Sequence, residues 1–230
     1  MAGESVNREP GRSSSSLQQP EQKEQILAAI VLLLGSNTDY QKRLQAAQRL
    51  ARSGPEILPL LVSTLHLYPE ITTPAWPWWP PQYEQISRLL VQLSQSAHVS
   101  LADVLHAPYL THPPGPVLWT SVIEAVGLLP HMEYEPLLLA GLEAPWWTVR
   151  YAAATAIANR AMHSSLCPEM RQALDQCQQI DPEIPVRLVA ACALLRCGET
   201  SGLDALAHFL DTSPNPCLLY TSDAADDLTR

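Results

Sequence analysis

The side chains best suited to catalysis or metal binding are scattered along this chain. The closest two of its seven histidines, His106 and His112, lack the i, i+4 spacing of a metal site on one helix. No Gly-x-Ser-x-Gly motif, phosphate-binding glycine loop or His-Glu-x-x-His motif occurs. The conceivable acids are Asp39, Asp103, Asp175 and Asp204. A carboxylate on a polar helix face is usually just solvated, so we predict no catalytic residue, no metal and no cofactor.

Six tryptophans are the more informative side chains, because all of them lie in or beside predicted turns between helices. Tryptophan is enriched at the energetic centres of protein interfaces. The segment from Pro69 to Pro81 is too rich in proline for a helix and is predicted to form an extended loop. The candidate partner-binding residues are Trp76, Trp78, Trp79 and Trp146.

Two readings of the loop tryptophans stay open. Trp76, Trp78 and Trp79 either form an exposed contact surface or fold back to cover the apolar ends of the helices. For Trp119 and Trp147 the buried reading is favoured, since tryptophan is highly buried on average.

A ten-residue pattern recurs along the chain and must position these side chains. Val149 to Ala158 reads VRYAAATAIA, Val186 to Leu195 reads VRLVAACALL, and a looser copy, KRLQAAQRLA, runs from Lys42 to Ala51. Repetition of this kind predicts a stack of similar units rather than a domain with one central site. We therefore expect an all-α solenoid of five antiparallel helix pairs and one truncated unit.

Proline, glycine and capping residues divide the chain into these helix pairs. The predicted pairs are Glu24 to Leu34 with Tyr40 to Arg52, Glu56 to Leu67 with Gln82 to Gln95, Leu101 to Tyr109 with Val117 to Leu129, Glu135 to Leu142 with Thr148 to Met162, and Pro168 to Gln179 with Pro185 to Arg196, followed by a single helix from Gly202 to Leu210.

Alanines occupy the apolar face of the predicted second helices. In the fourth unit Val149, Ala152, Ala153, Ala156 and Ile157 have the i, i+3, i+4, i+7, i+8 spacing of one helix face. Ala190 is the counterpart of Ala153 in the fifth unit, where Cys192 and Cys197 are also expected to be buried as small apolar residues. Small side chains at these positions predict close packing between neighbouring helices.

At these residues the chain resembles the HEAT repeat family, whose helix pairs carry a Val-Arg dipeptide and an alanine-rich second helix. The resemblance covers most of Glu24 to Leu210 and is clearest at Val149-Arg150 and Val186-Arg187. It implies a ladder of ion pairs between units, whose positions are matched by Asp39, Arg43, Arg150, Asp181 and Arg187. We expect these arginines to be structural rather than ligand-binding, because their stems can pack while their heads pair.

The resemblance leaves two functions open. The first is a non-enzymatic scaffold that presents a helical surface to a protein partner. The second is a bilin lyase, a lyase subunit or an assembly factor for a phycobiliprotein complex, because HEAT-like repeats of phycobilisome lyases are similar to these alanine-rich units. In that case a bilin or a phycobiliprotein is the partner.

Composition and the ends of the chain set the remaining expectations. A net charge of -9 argues against nucleic-acid binding, and the apolar run Ile26 to Leu34 is too short to cross a membrane, so we expect a buried helix there. Five cysteines without metal-site spacing suggest a reduced, cytoplasmic protein. The polar segment 1-22 is predicted to be a disordered arm, with the solenoid at 23-212.

The end of the chain differs in character from the repeats. Residues 213-230 are expected to be a non-native or disordered tail, and Cys217 to Arg230 resembles a translated sequencing adapter. We expect the natural protein to continue with further repeats after Pro216.

Overall fold

The computed structural model describes residues 20–35, 38–69, 81–108, 110, 113–129, 132–161 and 166–212, and over these ranges the protein is all-α, as predicted. Its α-helices are α1 (Pro20–Leu34), α2 (Tyr40–Arg52), α3 (Leu58–Leu67), α4 (Pro81–Ala97), α5 (Leu101–Leu105), α6 (Pro116–Gly127), α7 (Glu135–Leu142), α8 (Trp147–Ala161), α9 (Pro168–Ile180), α10 (Ile184–Arg196) and α11 (Thr200–Thr212). Short 3-10 turns at Pro55–Ile57 and Met132–Tyr134 precede α3 and α7. None of the described helices is both long and apolar enough to span a membrane.

Side-chain caps and proline explain where six of the described helices begin. Asp39 caps α2 by accepting a hydrogen bond from Lys42 N at 2.9 Å. Ser100 caps α5 in the same way, with Ala102 N as the donor at 3.2 Å. Proline is the first residue of α1, α4, α6 and α9, where its missing N–H leaves no hydrogen bond unmade.

Three predicted boundaries are wrong. α1 begins at Pro20, so residues 20–22 belong to a helix and not to the arm, of which residues 1–19 lie outside the described part. Pro81 opens α4 and therefore does not belong to the preceding loop. The first helix of the third unit ends at Leu105 and not at Tyr109, because Pro108 disfavours a helical conformation at the residue before it.

The second helices of the five pairs pack against one another in chain order. α2 contacts α4, α4 contacts α6, α6 contacts α8, and α8 contacts α10; each also contacts the first helix of its own pair. One continuous apolar core extends from Ile26 in α1 to Leu194 in α10. This order of contacts is what a stack of helix pairs requires, and we call α2, α4, α6, α8 and α10 the second-helix stack.

Small residues allow α8 to approach two neighbouring helices closely. Ala153 faces Gly141 of α7, where an added Cβ would lie 3.0 Å from the Ala153 Cβ. Ala156 faces Gly127 of α6, where the corresponding distance would be 2.8 Å. The contact with Gly127 is closer than real Cβ atoms pack, and the contact with Gly141 would be unusually tight, so glycine favours both close approaches. Ala190 in α10 is fully buried as well.

Two burial predictions are wrong. α1 buries one face only, and Leu27, Val31 and Leu32 are exposed, with Val31 at 68%. No described helix precedes α1 to cover that face. Cys192 is exposed because it lies on the side of α10 that carries Leu195, away from the core; Cys197 is half-buried.

Enlarging Ala153 should destabilise the protein. Ala153→Leu would push three additional carbons against Gly141, and we expect a loss of about 1 to 3 kcal/mol in the free energy of unfolding, measured by urea denaturation. Ala140→Leu is the matched control, since Ala140 is the exposed neighbour of Gly141 in α7. Equal unfolding midpoints for the two variants would contradict the close contact.

Candidate functional site

Arg150 holds the turn that carries two of the tryptophans. Its Nη1 donates to the carbonyl oxygens of Ala144 and Pro145 at 3.0 and 3.1 Å. Its backbone N–H donates to the Trp146 carbonyl at 3.2 Å. The turn between α7 and α8 is therefore fixed by a residue from the first turn of α8, and Trp146 and Trp147 are placed by it.

The same guanidinium pairs with the following unit. Arg150 Nε and Nη2 donate to Asp181 Oδ2 and Oδ1 at 2.7 and 3.0 Å, the two-pronged geometry that arginine and carboxylate favour. Asp181 Oδ1 also accepts from Glu183 N at 2.9 Å. The hydrogen bonds that Arg150 donates to the Asp181 carboxylate raise the pKa of Arg150. With side chains 11% and 4% exposed, the pair is largely removed from water.

The ladder implied by the family resemblance has only this rung among the described residues. Arg43 does not pair with Asp39, whose partner is Lys42 at 3.3 Å. Arg43 Nη2 instead donates to the carbonyls of Gly35 and Thr38 at 3.1 and 2.6 Å, and burial lowers its pKa. Arg187 lies over the ring of Phe209, 5.3 Å from the centroid.

The arginine of the repeat also has a structural role that the expected ladder of ion pairs did not predict. Both Arg43 and Arg150 donate to carbonyl oxygens of the turn that leads into their own helix. The arginine thereby ties the turn to the first residues of the helix that follows it.

Aromatic side chains from α6 and α8 meet at one edge of the second-helix stack. Trp119 and Trp146 pack edge to face, with ring centroids 6.1 Å apart and planes at 78°. Trp147 and Tyr151 form a second edge-to-face pair at 6.3 Å and 75°. We call Trp119, Trp146, Trp147 and Tyr151 the aromatic edge. All four are half-buried, and Trp119 and Trp146 also pack against the apolar core.

The start of α6, which carries Trp119, is fixed by a contact with the second unit. Gly115 N donates to His66 Nδ1 at 3.0 Å, and the Gly115 carbonyl accepts from Trp119 N at 3.0 Å. A Cβ at residue 115 would run into the His66 carbonyl oxygen. Only glycine lets the two segments come this close.

Sequence reasoning did not single out Tyr151. The i, i+4 spacing of Trp147 and Tyr151 is a visible sign that the two rings share a face of α8. Burial raises the pKa of Tyr151, and the neighbouring Cys192 and Glu124 side chains add to the shift. Trp76, Trp78 and Trp79 lie outside the described residues.

A cavity of about 430 Å³ lies beside the Arg150–Asp181 pair and reaches Cys177. Burial raises the pKa of Cys177 to about 11, which keeps the thiol protonated at neutral pH. A protonated thiol is a poor nucleophile and a poor metal ligand. Within the described ranges no cluster of three or more histidine, cysteine, aspartate or glutamate side chains is arranged to hold a metal ion.

Comparison with known protein families finds no family whose model matches this chain, and a search of curated proteins also finds no match.

Removing the carboxylate of Asp181 should destabilise the fold. Asp181→Ala leaves the Arg150 charge buried without its partner, and we expect a loss of about 3 kcal/mol in the free energy of unfolding by urea denaturation. The matched control is Glu199→Ala, which removes an exposed pair with Arg171 at 3.3 Å and should cost at most about 1 kcal/mol. Similar losses in both variants would show that the buried pair has no special weight.

Proposed function

We propose that this protein is a non-enzymatic scaffold, an α-solenoid of HEAT-like repeats, that binds a protein partner through the aromatic edge. We also propose a cytoplasmic location, which the cysteine pattern predicts. Function as a bilin lyase remains the alternative prediction. An absorption titration with an open-chain tetrapyrrole distinguishes a lyase from a scaffold.

The observation that carries the proposal is the position of Trp147 and Tyr151. Both rings are half-buried on α8, and neither belongs to the apolar core to which Trp119 and Trp146 contribute. Tryptophan and tyrosine supply large contact areas at a small cost in side-chain entropy, which is why they dominate interface energetics.

Rigidity of the edge adds to this support. Arg150 fixes the turn before Trp147, and the Asp181 pair fixes Arg150. A contact surface that is already ordered loses less conformational entropy on binding, and this favours affinity.

Replacing the exposed ring of the edge should weaken partner binding. We expect Trp147→Ala to reduce the quantity of partner recovered with the tagged protein from its natural cells at least about tenfold, since interface centres contribute about 2 kcal/mol or more. The measurement is affinity purification with quantitative mass spectrometry.

Leu128→Ala is the control, because Leu128 is 51% exposed beyond the other end of α6. A partner set that is identical for Trp147→Ala, Leu128→Ala and the unmodified protein would contradict the proposal. The combined change of Trp76, Trp78 and Trp79 to alanine tests the loop prediction separately: an unchanged partner set excludes the loop from binding.

A further inference from the structure

A surface groove of about 550 Å³ runs along the contact between α2 and α4. Its polar lining consists of Gln48 and Arg52 from α2 and of Gln85, Arg88 and Gln92 from α4. Its apolar lining includes Leu44 and Leu89. A volume of this size falls within the range of about 300 to 1,000 Å³ that ligand sites occupy.

The charge around this groove is opposite to that of the whole protein. The chain has a net charge of -9, yet α2 carries Lys42, Arg43, Arg49 and Arg52 and no acidic residue. Arg43 is buried in its turn contacts and Lys42 pairs with Asp39. The guanidinium of Arg52 remains exposed at the groove, and no described acidic side chain forms an ion pair with it.

Arg88 supplies the second positive charge on the opposite wall. Its Nη2 lies 3.1 Å from Glu84 Oε1, in a pair whose side chains are 64% and 47% exposed. Exposed pairs of this kind contribute little stability, so a carboxylate from a partner can compete for Arg88. Glu84 is outside the groove lining.

The glutamines provide the other half of the recognition. Each glutamine amide can donate and accept, which is what the N–H and C=O groups of an extended peptide require. Gln48 and Gln92 are exposed, one on each wall of the groove, and their amides can bond to the backbone of a segment that lies between the helices. Gln85 is buried and donates to the Tyr40 hydroxyl at 3.4 Å, so it supports the wall.

We infer that the groove between α2 and α4 binds an extended acidic segment of a protein partner. Carboxylates of the segment pair with Arg52 and Arg88, its backbone bonds to Gln48 and Gln92, and an apolar side chain packs on the half-buried Leu44. The inference rests on the proposed scaffold function and names the chemistry of the partner. The net negative charge of the protein disfavours a nucleic acid as the occupant. A long polyanion would extend past the groove, where the negatively charged protein surface repels it.

The experiment is a fluorescence anisotropy titration of the full chain. The probe is a fluorescein-labelled peptide of about eight residues that alternates glutamate and leucine, and the comparison peptide carries glutamine in place of glutamate. We expect the glutamate peptide to bind at least about fivefold more tightly. Binding should weaken as the salt concentration rises from about 0.05 to about 0.3 M, because exposed charges are screened.

Matched arginine variants locate the binding. Arg52→Gln combined with Arg88→Gln should weaken binding of the glutamate peptide at least about fivefold. The control Arg49→Gln should not, although Arg49 also lies in the last turn of α2 and its loss changes the charge near the same helix end. Circular dichroism and thermal melting verify that each variant folds, since Arg49, Arg52 and Arg88 are all exposed.

Several results would overturn the inference. These are equal binding of both peptides, equal weakening by Arg49→Gln and Arg52→Gln, or tighter binding of a single-stranded oligonucleotide at the same arginines. Self-association that the double variant abolishes would assign the groove to a second copy of the chain. None of these outcomes bears on the aromatic edge, so failure of the groove inference is distinguishable from failure of the scaffold proposal.

Discussion

Close contact between α8 and its neighbours is the constraint on which the rest of the structure depends. Two glycines, Gly127 and Gly141, face Ala156 and Ala153, where an added Cβ would lie 2.8 and 3.0 Å from the alanine Cβ. The gain is dispersion contact over the whole length of α8, since closely packed interiors leave few atoms without neighbours. A repeat that places alanine at these positions therefore specifies how near one helix lies to the next.

The buried ion pair depends on another contact of α8, with α10. Because α8 and α10 are in contact, Asp181 in the turn between α9 and α10 reaches the Arg150 guanidinium and removes it from water. Such a pair is expensive to bury, and its value lies in fixing geometry as much as in stability. Here it fixes the turn that positions Trp146 and Trp147. The packing of α8, the Arg150–Asp181 pair and the position of the aromatic edge therefore depend on one another.

The helix pairs were predictable because their limits are encoded locally. Proline at the first helical position, Asp39 as a cap and the periodic alanines each act within a few residues of the chain. The third unit's first helix was predicted too long because the effect of Pro108 on the preceding residue was overlooked. Local chemistry thus accounts both for the correct boundaries and for this error.

The contacts that side chains make with residues distant in the sequence were much less predictable. Spacing alone suggested that Asp39, Arg43 and Arg187 join a ladder, but Arg43 binds turn carbonyls and Arg187 stacks on Phe209. Which acceptor lies nearest depends on tertiary positions that sequence spacing does not determine. The groove was missed for the same reason: the basic character of α2 is visible in the sequence, whereas the gap between α2 and α4 is not.

Amide hydrogen exchange tests the central claim, that close contacts with the neighbouring helices hold α8 firmly in the second-helix stack. Repeat proteins open most easily at their ends, and protection reports the free energy of local opening. The account predicts that the backbone amides of α8 between Ala152 and Ala158 exchange more slowly than those of any other helix, and that α1 and α11 exchange fastest. Exchange in α8 as fast as in α11 would contradict it.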